Sequence, residues 1–149
     1  MTLEAIKDYL VKRNVKVSLK SRQMETLEAY LELFFETKEK ESFVMEIGYI
    51  PDIEEEVDAF RLLQFVVPIL EITPEYPKYL DSILHFMNSE LVTPGFVCDP
   101  QSGLVYFRYV MPISKDESKV DLAQLIEILQ LIFFQVKNYA PKIRGAVSE

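Results

Sequence analysis

Alternation of apolar and polar residues predicts a β-strand from Leu104 to Pro112. Side chains that recur with a period of two point to the same side of a strand. The residues predicted to face a core in this way are Val105, Phe107, Tyr109 and Met111. The residues predicted to face the opposite way are Tyr106, Arg108 and Val110.

A short strand over residues 95–98 precedes this one and completes a hairpin. The segment Asp99–Gly103 between them has the chemistry of a turn, with a proline early and a glycine late. A hairpin alone is only marginally stable in water and needs a helix or further strands over its apolar face. The apolar helix predicted over residues 120–138 is the natural cover.

Alternation also predicts strands over residues 28–36, 43–50 and 61–69, with a charged loop tip at 37–42 between the first two. Residues 24–35 fit helical spacing as well, so a helix stays open there. Residues 15–19 suggest one further short strand. Because Pro68 cannot donate a ladder hydrogen bond, we expect the end of its strand to be unpaired on one side or to lie at an edge.

Helical spacing predicts a first helix over 2–13, capped by Thr2 and stopped near Asn14. A second helix is predicted to begin at Thr73–Glu75 and to end near Ser89. The third begins at Asp121 or, one turn or more earlier, at Ser114, and ends or kinks at Pro141. We expect residues 141–149 to form a frayed tail.

These elements predict one domain over residues 1–149 with an α+β fold. The expected sheet is antiparallel and five-stranded, with helices packed on it, in the order α-β-β-β-α-β-β-α.

The third helix carries apolar residues on two faces. At about 100° per residue, seven share one face: Leu122, Leu125, Ile126, Leu129, Ile132, Phe133 and Val136. Three lie on roughly the opposite side: Ile128, Leu131 and Phe134. One sheet cannot cover both faces. Either the first helix or the N-terminal loop buries the second face, or that face is an interface with another subunit or protein.

The net charge and the cysteine content limit the kinds of partner and site that the chain can have. The 149 residues carry a net charge of −8, which argues against binding to nucleic-acid phosphates or to anionic membranes. The single cysteine, Cys98, excludes an intrachain disulfide. The charged N-terminus and the short apolar stretches predict neither a signal peptide nor a membrane span. We therefore expect a soluble cytoplasmic protein.

The titratable residues predict no catalytic group. His85 is the only histidine, and we expect it at the surface. Cys98 stands beside Asp99, which disfavours a thiolate, so a half-buried inert thiol is expected. The acidic run from Asp52 to Asp58 lacks the spacing of a calcium loop and is interpreted as solvated. We expect no enzyme, cofactor or metal.

Arg108 lies inside an otherwise apolar strand and supports two interpretations. It is either an outward-facing arginine stacked on Tyr106 and paired with a neighbouring strand's glutamate, or an anchor for a carboxylate of a partner.

Several local strings carry a resemblance to a known family. They are Leu63–Phe65, Met87–Asn88, Gly95–Phe96 and, above all, Gly103–Pro112. With the order of elements, they resemble YbjN-like domains, which share the fold of type III secretion chaperones; cyanobacterial members are especially similar. The resemblance spans about residues 1–140. It implies an antiparallel sheet backed by helices, a homodimer and binding of an extended protein segment, and it carries no catalytic residue.

Two functions follow as hypotheses. The first is a non-catalytic protein-binding module with a chaperone-like or regulatory role, assembled as a homodimer. Its candidate partner-binding residues are Ile128, Leu131, Phe134, Tyr106, Arg108 and Val110. The alternative is a small-molecule sensor that holds an apolar ligand between sheet and helix.

Overall fold

Six antiparallel strands form one sheet in the order β1-β2-β3-β4-β6-β5, in a computed structural model that describes residues 1–23, 27–51, 58–72 and 79–148. The strands are β1 Val17–Gln23, β2 Leu27–Glu36, β3 Ser42–Tyr49, β4 Phe60–Glu71, β5 Phe96–Cys98 and β6 Leu104–Ser114. The helices are α1 Leu3–Val11, α2 Tyr79–Glu90 and α3 Leu122–Ser148, with a short 3₁₀ turn at Glu117–Lys119 before α3.

The expected α+β class and the antiparallel sheet are confirmed, but the count of five strands is wrong. The additional strand is β1, which pairs with β2 from Val17 opposite Leu33 to Gln23 opposite Leu27. Apolar alternation in β1 stops at Leu19, since the later residues are polar at an edge of the sheet. The strand is therefore longer than its hydrophobic pattern.

The strand interpretation of β2 is confirmed over 27–36, whereas residues 24–26 lie outside the described part of the chain. The predicted strands at 43–50 and 61–69 are also present. Pro68 pairs with Tyr106 of β6 on one side, and the ladder to β3 on the other side ends at Val66. Its strand end is thus unpaired toward β3, as the missing N–H predicts.

The beginnings of α1 and α3 follow from their caps. Thr2 Oγ1 accepts a hydrogen bond from Ala5 N at 3.1 Å, and Asp121 Oδ1 accepts one from Ala123 N at 3.0 Å. Asn14 follows α1 with a positive φ of 63°, which ends the helix as predicted. The earlier of the two predicted starts of α3 is wrong, because Ser114 is the last residue of β6 and Asp116 caps the separate 3₁₀ turn. The predicted start of α2 at Thr73–Glu75 lies outside the described residues.

The end of α3 corrects the sequence prediction. The helix neither ends at Pro141 nor frays after it, and it continues to Ser148. Ile143 is fully buried. Arg144 forms an ion pair with Glu41 at 2.8 Å and donates a hydrogen bond to Ile69 O at 3.2 Å. These tertiary contacts outweigh the one hydrogen bond that Pro141 removes.

The core lies on one side of the sheet. The buried strand residues alternate, as in β3, where Phe43, Met45 and Ile47 are buried. They form one cluster with the buried residues of all three helices. The predicted apolar faces of α3 and β6 both contribute to it, so the helices and the core occupy the same side.

Candidate binding surface

The side of the sheet opposite the core carries no helix in the described residues. We call this side the open face. Its most exposed apolar residues are Phe34, with 56% of its surface accessible, and Val97, with 38%. Tyr106 and Val110 are half-buried and Arg108 is exposed. The predicted outward orientation of these three residues is therefore confirmed.

Strand register places the side chains of the open face in rows that cross the strands. One row is entirely apolar, and we call it the apolar row. Phe34 pairs with Val44, Pro68 with Tyr106, and Tyr106 with Val97. The β3–β4 ladder ends at Glu46 and Val66, and Val44 and Pro68 lie two residues beyond that pair on their strands. Apolar surface therefore spans five adjacent strands.

In the next row, charged residues lie on both sides of a valine, and we call it the charged row. Glu32 pairs with Glu46, Glu46 with Val66, and Val66 with Arg108. Glu46 and Arg108 thus stand two strands apart, a separation of about 10 Å. The open face is acidic on the β3 side of β4 and basic on the β6 side.

The third row is formed by Lys20, Tyr30, Gly48, Gln64 and Val110. Two polar side chains of this row contact charged side chains of the charged row. Arg108 Nε donates to Gln64 Oε1 at 2.6 Å, and Lys20 Nζ lies 2.7 Å from Glu32 Oε1. This hydrogen bond to Glu32 raises the pKa of Lys20 above its ordinary value.

The contact with Gln64 corrects one interpretation of Arg108, which expected a glutamate as its partner. Glutamine occupies the diagonal position on β4, while Glu46 lies one strand further away. Arg108 is exposed, and only its Nε is engaged among the described contacts, so its terminal nitrogens can accept a carboxylate as partner.

Two hollows lie side by side on the open face. One, of about 170 Å³, lies over Gly48, which has no side chain to fill the space beside Tyr30. The other, of about 330 Å³, is lined by residues that include Pro68 and Tyr106. Phe34 borders a third hollow, of about 410 Å³, at the end of α1. The open face is therefore uneven, and the two hollows on it are lined by both polar and apolar residues.

The candidate residues of α3 lie elsewhere. Phe134 is 62% exposed, whereas Leu131 and Ile128 are half-buried and Ile128 packs against the core. Because α3 covers the core side of the sheet, these residues lie on the opposite side of the molecule from Tyr106, Arg108 and Val110. The structure does not bring the two sets together, and a partner role for either stays a prediction.

The other singled-out residues form no cluster in the described part of the chain. His85 is exposed on α2, and Cys98 is half-buried on β5. Among the residues that the structure describes, no three metal-ligating side chains converge. No helix in that part is long and apolar enough to cross a membrane. Residues 52–57 of the acidic run lie outside the description.

Asn88 has a structural role that the sequence analysis missed. Its Oδ1 accepts a hydrogen bond from Phe96 N at 2.6 Å, and its Nδ2 donates to Phe96 O at 2.8 Å. The side chain of α2 thus pairs with β5 as a neighbouring strand does. Gly95 permits this approach, because a Cβ there would lie 2.9 Å from Asn88 Oδ1. Asn88 and Gly95 are seven residues apart, and their spacing alone does not predict the contact, although both belong to the strings that carry the family resemblance.

No family model matches the sequence, and no curated protein matches it either. The resemblance to YbjN-like domains therefore stays a prediction, and the function is argued from the surface alone.

Proposed function

We propose that the chain is a non-catalytic protein-binding module with a chaperone-like or regulatory role, and that it binds protein through the open face. The observation that carries the proposal is the apolar row. It presents Phe34, Tyr106 and Val97 to solvent on a side that no described helix covers. Exposed apolar patches of this kind mark interaction sites on soluble proteins.

The shape of the surface favours a polypeptide over a small molecule. The apolar row crosses five strands, a width of about 19 Å at the usual spacing. A centre rich in aromatic and aliphatic side chains beside one arginine is typical of protein interfaces. Small ligands instead bind in concave sites that enclose most of their surface, whereas the hollows here are partly open to solvent.

The alternative of an apolar ligand between sheet and helix has no such support. That space is occupied by the buried cluster, in which Phe65, Phe107 and Ile132 are at most 1% exposed. We therefore retain protein binding as the proposed function.

Site-specific photo-crosslinking tests the proposal. A benzophenone amino acid replaces Tyr106 on the open face, and in a matched variant it replaces Phe86, which is 62% exposed on α2. Both variants are expressed in the organism of origin and irradiated. We expect a protein adduct at position 106 and little at position 86.

Two outcomes contradict the proposal. One is the absence of any protein adduct at position 106 in a folded variant. The other is equal crosslinking at positions 106 and 86, because that result reports general stickiness and no preference for the open face.

A further inference from the structure

We propose that the partner on the open face is a second copy of this chain, packed face to face about a two-fold axis that runs along β4. This inference rests on the proposed function and names the occupant of the same surface. It is argued from the arrangement of charge and apolar residues in the rows.

The axis follows from the symmetry of the rows. Two sheets that pack face to face lie about 10 Å apart with their strands within about 30° of one another. Rotation about an axis above β4 keeps each row in place and exchanges its two halves. A residue on β6 then faces a residue on β3 of the second copy, and the reverse holds.

Charge is complementary under this rotation. Arg108 faces Glu46 of the second copy, and Glu46 faces Arg108, while Val66 lies on the axis. Both side chains are long enough to meet across the gap of about 10 Å between packed sheets. Each dimer thus gains two oppositely charged pairs, and the terminal nitrogens of Arg108 gain a carboxylate.

Local neutrality permits this contact in an acidic chain. The chain carries a net charge of −8. The charged row and the third row, which contains Gly48, together carry two acidic residues, Glu32 and Glu46, and two basic ones, Lys20 and Arg108. The acidic excess therefore lies outside the centre of the open face, where repulsion would be strongest.

The apolar row matches itself under the same rotation. Phe34 on β2 faces Val97 on β5, and Val44 faces Tyr106, with Pro68 at the axis. The two most exposed apolar residues of the face, Phe34 and Val97, become partners of each other. The axis that joins the charges thus also buries the exposed apolar surface.

The hollow over Gly48 has an occupant in this arrangement. Gly48 on β3 and Val110 on β6 stand on either side of Gln64 in one row. Val110 of the second copy therefore faces Gly48 and enters the hollow of about 170 Å³. A hollow on one copy opposite a side chain of the other is expected of a self-complementary interface.

Pairing through the edge strand β1 is disfavoured. β1 carries Lys20, Lys16 directly precedes the strand, and the segment from residue 9 to residue 23 contains no acidic residue. Two such edges would bring like charges together, which is how natural sheets avoid edge-to-edge association.

Charge reversal with sedimentation tests the proposal on the full chain. We expect wild type to sediment at twice the chain mass of 17.4 kDa. Arg108→Glu and Glu46→Arg each place like charges together twice per dimer, so each should weaken dimerisation at least tenfold. An equimolar mixture of the two variants should form dimers again, because both of its pairs are then attractive. The double variant should also dimerise.

Matched controls reverse exposed charges on α3. Lys137→Glu and Glu127→Arg change the net charge by the same amounts, and both positions are exposed. We expect these variants to remain dimeric. Circular dichroism confirms folding, and Glu46→Gln serves as a milder variant if Glu46→Arg is unfolded; it should weaken the dimer less than a reversal does.

Three results overturn the inference: a wild-type monomer at tens of micromolar, a dimer that Arg108→Glu affects no more than Lys137→Glu does, and a mixture of the two reversed variants that stays monomeric. The crosslinked mass at position 106 separates the two proposals. If the chain is monomeric and crosslinks to a different protein, the dimer is contradicted and protein binding through the open face is supported. If no adduct forms, both proposals are contradicted.

Discussion

Gly103 shows how one residue fixes the turn between β5 and β6. Its φ is 73°, and a Cβ built there would collide with Ile72 O. The same glycine donates to Asp99 O at 2.8 Å and accepts from Ile72 N at 2.9 Å. Hydrogen bonds from Gln101 N and Ser102 Oγ lower the pKa of Asp99, which shows that the turn favours the carboxylate. The glycine joins the turn to the end of β4.

We expect Gly103→Ala to lower the free energy of unfolding by at least about 2 kcal/mol, because it combines a positive φ with a backbone collision. Urea denaturation measures the change. Gly145→Ala is the matched control: a Cβ there meets nothing within 4 Å, and the residue lies in α3. It should stabilise by about 0.5–1 kcal/mol, since alanine is the better helix former. Equal effects at both positions would contradict this account.

Gln135 marks the limit of pattern reasoning at single residues. In the sequence it only interrupts an apolar stretch. In the structure its side chain is 2% exposed and forms hydrogen bonds with three atoms of Thr93. A polar residue on a helix is ordinarily assigned to solvent by its type. Its partner lies 42 residues away, and local spacing carries no information about such a distance.

At the scale of elements, period-two and helical patterns identified every described helix and most strands. The alternation in β3, β4 and β6 was correct because each of these strands has one face in the core. The pattern failed where tertiary contacts decide the outcome. β1 extends into polar residues because β2 pairs with it, and α3 passes Pro141 because its last turns are held by the core and by β4.

The last turns of α3 should therefore contribute to stability. We expect Ile143→Ala to destabilise by about 2–5 kcal/mol, as truncation of a buried aliphatic side chain does, because Ile143 has no exposed surface. Denaturant titration followed by circular dichroism measures it. Lys137→Ala, at an exposed position on the same helix, should change stability by less than about 0.5 kcal/mol. An unchanged denaturation midpoint for Ile143→Ala would contradict this account and would support the original prediction of a frayed tail.

At the scale of the whole molecule, the helices divide the sheet into a filled side and an open side. The sequence indicated this division in β6, because Tyr106, Arg108 and Val110 alternate with residues that were predicted to face a core. It did not align the rows, since register between β3, β4 and β6 is a long-range property. The acid-to-base gradient from Glu46 to Arg108, and the continuous apolar row from Phe34 to Val97, exist only once the strands are aligned.

Covering the open face links stability to concentration. If two copies unfold as they separate, mass action raises the thermal midpoint as the protein becomes more concentrated. For a chain of this size, we expect a rise of about 2 °C for each tenfold increase in concentration above the dissociation constant. In Arg108→Glu the rise should begin at a concentration at least tenfold higher than in wild type, while Lys137→Glu should behave as wild type does. Differential scanning calorimetry between about 10 and 1,000 µM, a range set to exceed micromolar dissociation constants, measures all three. A constant wild-type midpoint across that range would show that the open face is not covered by a second copy.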